Sequence, residues 1–375
     1  EKARTALAEI GKHEPIVPDL FPKVEAANAT APFKFGPAYA ARRQALLAML
    51  RAVDAPTSEE VSRENEAIQD ARRKAEREAA LGQGRPRGVQ QPAPYNPLNR
   101  PTQQQARALT PQERMESDAQ ARVSVRRANE GYMYASLASL DYRPNIVDAS
   151  KPASIEEMWY AQMALWIQED VLGALARVNE RAAENLPQGR KPCVLTLPVK
   201  HLVNFIMGNY VPGTATSSGS GSSSGGGTGG TILTGAVPSS SKSAVFTDRG
   251  SGDGVDVIQF ALELVVEAQR LPEIIAETNK SGFYTPVNIS YMAQSPTDNL
   301  YGYIYGSQPV IAVRLDYEGC FLRSKYEKWM PETIKTAIES GTAGGAAAPV
   351  GQGGGGGFSP GGFRPGGGGG GRFGS

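Results

Sequence analysis

From Asp256 to Val266 the chain alternates: Ile258, Phe260, Leu262, Leu264 and Val266 are apolar, and Gln259 and Glu263 fall between them. Successive side chains of a strand point to opposite faces, so this pattern predicts a half-buried strand. Phe283, Thr285, Val287, Ile289 and Tyr291 alternate with Asn288 and Ser290 and predict a second strand. Between the two, Pro272 suits a first helical turn, where its missing N–H costs nothing. Leu271, Ile274 and Ile275 share a stripe, and Gly282 ends that helix. A further alternation at Ile311, Val313, Leu315, Tyr317 and Phe321 follows a loop rich in Pro, Asn and Gly, from Pro296 to Pro309. This region reads strand, helix, strand, strand.

Upstream, Ser154 and Glu157 form a capping box that opens a long helix through Trp159, Met163, Trp166, Leu172 and Leu175 to about Glu184. Cys193 to Met207 is apolar and β-branched enough for a strand or a bent pair of strands. Tyr132 to Tyr142 fits an extended segment or a bent helix equally well. Thr110, Pro111 and Glu113 make a second capping box, for a helix to about Asn129. Thr57 or Ser58 caps a helix to about Leu81 that is charged nearly all round. Its thin seam at Val61, Ile68 and Ala75 has coiled-coil spacing, but the charge favours a solvated helix. Ala40 to Val53 reads as a short amphipathic helix through Leu46, Leu47 and Leu50. The segment from Glu1 to Pro37 is broken by Pro15, Pro18, Pro22 and Pro32.

Composition shrinks the folded part. Among 375 residues, 43 Gly and 27 Pro are concentrated in tracts that cannot pack a core. The expected organisation is a helical region at 1–81, a Pro-rich linker at 82–109 and a body at 110–340 with its core at about 154–322. A Gly/Ser insertion at 212–247 interrupts the body, and a Gly-rich tail occupies 341–375; both read as disordered. Lys and Arg number 39 against 38 Asp and Glu, interspersed, so charge announces neither nucleic acid nor an acidic membrane surface. No run approaches the roughly 18 apolar residues of a membrane span. The chain begins with Glu1 rather than Met, which raises the expectation of a removed upstream piece that would hold any anchor.

Candidate chemistry is thin. His13 and His201 lack Cys or carboxylate neighbours at ligand spacing, and His201 reads as a structural residue. The glycine tracts lack phosphate-cradling contexts, and no serine sits in a G-x-S-x-G elbow. Glu263 is a candidate buried acid, but cross-strand pairing with Arg314 is the simpler account. Cys193 and Cys320 read as free thiols. Trp159 and Trp166 read as packing residues rather than a docking face. We therefore expect no catalytic residue, no cofactor and no metal. The second face of the Asp256–Val266 strand, with Val257, Gln259 and Ala261, is the candidate partner-binding surface.

In order, these elements give an α+β domain, helix–strand–strand–helix–strand–strand. The order resembles the permuted ferredoxin-like αββαββ domain of the PilO/GspM family, inner-membrane assembly proteins of type IV pili and type II secretion machines. The resemblance covers about Ile155 to Leu322 and is architectural. It implies a four-stranded antiparallel sheet with two helices, the Val310–Leu322 strand central and the Cys193–Met207 strand at an edge. It further implies protein partners, as a homodimer or with a related ferredoxin-like protein, and a periplasmic position behind an upstream membrane helix, with the charged helix in the coiled-coil place. The Pro-rich interruption, the insertion and the glycine tail depart from that family. The competing reading is an RNA-binding protein with an RRM-like sheet and a tail of Gly, Arg and Phe, but the strand "VIAVRLDYEGCF" lacks the aromatic pattern that stacks bases.

Overall fold

A computed structural model describes residues 13–25, 28–82, 110–140, 144–147, 152–210, 251, 254–298 and 302–340. Of the linker expected at 82–109, Gly82 ends a helix and residues 83–109 lie outside the described residues, as do the whole insertion at 212–247 and the glycine tail at 341–375.

In chain order the main elements begin with α1 (Ala31–Met49), β1 (Ala52–Val53), α2 (Ser58–Gly82), α3 (Pro111–Glu130) and β2 (Met133–Tyr134). They continue with α4 (Ile155–Glu184), β3 (Val199–Tyr210), β4 (Val255–Glu267), α5 (Leu271–Ser281) and β5 (Tyr284–Gln294). Last come β6 (Thr297–Asp298), β7 (Tyr303–Ile304), β8 (Val310–Leu322), α6 (Arg323–Tyr326) and α7 (Glu332–Glu339).

The result is a mixed α+β protein built on a six-stranded sheet of order β1-β2-β3-β4-β8-β5. β3, β4, β8 and β5 are mutually antiparallel, and β1 and β2 add in parallel beyond β3. β4 and β8 pair without interruption from Val255↔Leu322 to Glu267↔Val310. The expected sheet of four strands is thus extended by two, and β3 is covered by β2 rather than left at an edge. The third strand also begins later than Cys193. Leu197 N donates to Cys193 O, Thr196 closes the same turn, and pairing starts only after Pro198.

Ile258, Phe260, Leu262, Leu264 and Val266 of β4 join Val313, Leu315 and Tyr317 of β8 in the main core. α4 and α5 lie on that face. α4 is buried nearly all round, the mark of a helix enclosed on both sides. Its outer side is covered by α1, through Phe35, Tyr39 and Leu46, and by the strap at 13–22. Ile16 N donates to Gln162 Oε1 at 2.9 Å, Trp166 Nε1 donates to Glu14 O at 3.2 Å, and Phe21 meets Trp159 edge-on. Pro15, Pro18 and Pro22 keep the strap free of regular structure beyond a 3₁₀ turn at Pro18–Leu20, as expected, but Pro32 does not break the chain: it sits in the first turn of α1, and Pro37 lies inside that helix.

Capping accounts for where the helices begin. Thr57 with Glu60, Thr110 with Glu113 and Ser154 with Glu157 each exchange two side-chain bonds with backbone N–H groups. α2 is not solvated all round, because α3 runs antiparallel beside it. Arg127 pairs with Glu60, and Arg126 reaches Glu64 at 3.1 Å. The partner of the seam is therefore the chain itself, with Val61 and Ile68 half-buried and Ala75 exposed. The stretch after Tyr132, open to two readings in the sequence, becomes β2 followed by a short 3₁₀ turn at Ala138–Leu140.

Candidate functional site

The second face of the sheet mixes polar with small apolar side chains, yet it is buried. Val257, Gln259 and Ala261 are 1%, 4% and 0% exposed, so these three do not form the open docking face expected of them. The physical reason lies in their neighbours. Gln259 Nε2 donates to Glu318 Oε1 at 3.5 Å, Ser251 Oγ accepts from Val257 N, and Ala261 sits between Ile206 and Asp316. Glu263 stands opposite Arg314 in the register, and Arg314 Nη1 reaches its Oε1 at 3.3 Å. Arg314 Nε also donates to Asp316 Oδ1 at 2.9 Å, and Asn288 Nδ2 donates to Asp316 Oδ2 at 2.8 Å. Burial raises the pKa of Glu263, and the Arg314 charge works against that rise. The cross-strand pair read from the sequence is present.

One end of this face is sealed by aromatic residues. The connection from β5 to β8 carries Tyr303 and Tyr305 across to Tyr134 and His201. His201 Nδ1 lies 3.1 Å from the Tyr305 hydroxyl, and burial pushes the pKa of its imidazole down to about 3. It is a packed, neutral residue. Nearby, fully buried Lys200 is held by Glu267 Oε1 at 2.9 Å and by the carbonyl oxygens of Val194 and Leu195. Burial lowers its pKa and the Glu267 carboxylate opposes the shift. Trp159 and Trp166 stack edge-on within the core, and Trp159 Nε1 donates to the Tyr210 hydroxyl at 3.1 Å.

A small cleft lies where the strap crosses α4. His13 Nε2 is 3.2 Å from Asp170 Oδ2, and the Tyr284 hydroxyl donates to the same oxygen at 2.7 Å. Burial, with the Asp170 charge behind it, raises the Tyr284 pKa well above its ordinary value. Trp166, Phe321, Lys325 and Tyr326 are among the other lining residues, around a free volume of about 30 Å³. That is room for one or two water molecules rather than a substrate. Cys193 and Cys320 are both free thiols. Among the described residues no group of three or more His, Cys, Asp or Glu is placed to hold a metal ion. No described helix is long and apolar enough to cross a membrane.

The open feature is the edge strand β5. Nothing among the described residues pairs with its outer side. Ile289 and Tyr291 stand opposite Leu315 and Val313, on the helix-covered face, but beyond the helices' reach; they are 42% and 62% exposed. Asn288 and Ala293 are exposed as well. The chain carries no charge between Lys280 and Asp298, and a bulge between Pro286 and Asn288 is the only irregularity in the pairing with β8. The opposite edge, β1, is two residues long. Sequence periodicity identifies the strand but not its edge position, which depends on the sheet order.

No protein-family model, curated protein or solved structure matches this chain. What the fold and site define is a mixed α+β protein with one long, uncharged sheet edge that is unpaired among the described residues.

Proposed function

We propose that the chain is a non-catalytic structural or assembly protein of a bacterial cell-envelope machine, similar to the PilO/GspM family, acting through contacts with other proteins. The observation that carries this reading is the order β3-β4-β8-β5, all antiparallel, with α4 and α5 on one face. A permuted ferredoxin-like αββαββ domain has that order, with β8 and β4 central. β1, β2, α1 and the α2–α3 pair are additions around it. On this reading the domain lies on the periplasmic side of the inner membrane behind an upstream membrane helix, and α2 with α3 takes the coiled-coil place.

The face an RRM-like sheet would offer to RNA carries Glu263, Asp316 and Glu318 beside Arg314 here. Acids in that position repel phosphate, which favours protein partners over nucleic acid. The test is cross-linking in the source organism, followed by purification of the full chain and mass spectrometry. Enrichment of pilus or secretion components is expected. A set dominated by RNA-binding proteins, together with micromolar binding to mixed single-stranded RNA that weakens steeply with salt, would overturn the proposal.

A further inference from the structure

We infer that β5 is a self-pairing edge, through which two copies of this chain join their sheets antiparallel about a twofold axis at Tyr291. The inference rests on the assembly reading above and names its partner. An exposed strand edge presents unpaired N–H and C=O groups, and proteins blunt such edges with charges, prolines, bulges or short strands. β5 has its proline and bulge only at the start, at Pro286 to Asn288. From Asn288 to Gln294 it is regular and carries no charge.

That regular stretch is centred on Tyr291. An antiparallel pair about this residue sets Asn288 opposite Gln294, Ile289 opposite Ala293, Ser290 opposite Met292 and Tyr291 opposite itself. Ile289 and Tyr291 are the two large apolar side chains left exposed on the face that the helices cover elsewhere. In the dimer they form one strip across the junction, with an aromatic pair on the axis, the kind of cross-strand contact that stabilises sheets. A twofold sets like against like, so any charge in this stretch would face a charge of its own sign or lie near one; the strand has none. β1, at the other end of the sheet, is too short to offer an equivalent ladder.

The experiment uses the full chain with Cys320→Ser, so that Cys193, which is buried, is the only native thiol left. At tens of micromolar, light scattering should give twice the 39.8 kDa chain mass. Tyr291→Lys, and separately Ile289→Lys, should halve the mass without moving the melting temperature by more than a few degrees. Residues opposed in an antiparallel pair lie with Cα atoms about 4.5–5.5 Å apart, inside the span of a disulfide. Tyr291→Cys should therefore form a covalent dimer under mild oxidation. Ile289→Cys should not, since its symmetry mate lies about 14 Å away along the strands, whereas a mixture of Ile289→Cys and Ala293→Cys should. A monomeric wild type, a dimer indifferent to both lysine substitutions, or a covalent dimer from Ile289→Cys rather than Tyr291→Cys would each overturn the pairing. A monomer that still captures envelope components would sink the pairing alone. A symmetric dimer that captures none would keep the pairing and sink the envelope role.

Discussion

The buried cluster at the start of β4 gives the sharpest test of what holds this fold together. Asp256 is fully buried, and Arg323 grips it with two bonds, Nη2 to Oδ1 at 2.6 Å and Nε to Oδ2 at 3.3 Å, while the Tyr326 hydroxyl donates to the same carboxylate. The Arg323 side chain is only 7% exposed, and its second carboxylate, Glu339, is 3.9 Å away and largely in solvent, so little compensates its loss. Arg323→Met leaves a carboxylate in the core with no cation. Removing one partner of a buried pair costs about 3–5 kcal/mol. For a folded body of this size, 1 kcal/mol moves the melting temperature by about 2–4 °C, so a drop of about 6–20 °C is expected. Replacing the whole cluster is a different perturbation: Asp256→Leu, Arg323→Met and Tyr326→Phe together remove every group that needs a partner. Apolar replacement of a buried ionic group is often neutral or stabilising, so the triple variant should return to within about 1 kcal/mol of wild type. Urea unfolding followed by tryptophan fluorescence reads both, because Trp159 and Trp166 are buried beside Tyr326. A single variant that loses less than about 1 kcal/mol, or a triple variant as unstable as the single one, would refute the reasoning.

Three further outcomes follow from the geometry. Glu277 of α5 receives Arg177 at 3.0 Å and Arg181 at 2.7 Å from α4; burial raises its pKa, but the two arginines outweigh that and leave it lowered. A depressed carboxylate pKa contributes stability that is present above the unfolded value and lost as pH falls through the folded one. Glu277→Gln should therefore cost about 1 kcal/mol at pH 7 and progressively less as pH falls below the ordinary carboxylate range, by thermal melts across that range. Gly306 has φ +97°, and a Cβ there would overlap the Leu195 carbonyl oxygen. Gly306→Ala should lose at least about 2 kcal/mol, with the tyrosine signals of the Tyr303–Tyr305 cluster perturbed in NMR. Thr110→Ala removes the cap of α3 and should cost about 1 kcal/mol, measured by urea unfolding, with little effect if the cap is not used.

The central strands are legible in the sequence because a half-buried strand writes its burial there with period two. The alternation in β4 and β8 also carries their register, and it is enough to match Glu263 with Arg314. β1 and β2 are not legible, since two residues have no periodicity. Ala52–Val53 looks like the end of α1, and Met133–Tyr134 could be anything apolar. The strap at 13–22 misleads for another reason: its prolines exclude long regular structure but do not exclude burial, and Phe21 packs on Trp159 without being part of any repeat. The charge on α2 says that its surface is polar but not that Arg126 and Arg127 of α3 answer Glu64 and Glu60.

The polar second face departs furthest from expectation, and the reason bears on how the sheet could join another. Polar side chains there suggest solvent or a partner, because a lone buried Glu or Arg is strongly unfavourable. In the fold that cost is offset pairwise: Glu263 with Arg314, Arg314 with Asp316, Asp316 with Asn288. Such pairs specify register as well as burial. A slip of one residue between β4 and β8 would turn the cluster into the apolar core and bring Leu264 and Leu262 out to the other side. The outer edge of β5 has no comparable device. Its register against a second copy is set only by the bulge behind Asn288, the end of the strand at Gln294 and the fit of Ile289 and Tyr291, none of which involves a charge. Pairing there gains backbone bonds and a modest apolar strip without desolvating any ion. That is the profile of a contact that forms at tens of micromolar and yields to a single lysine.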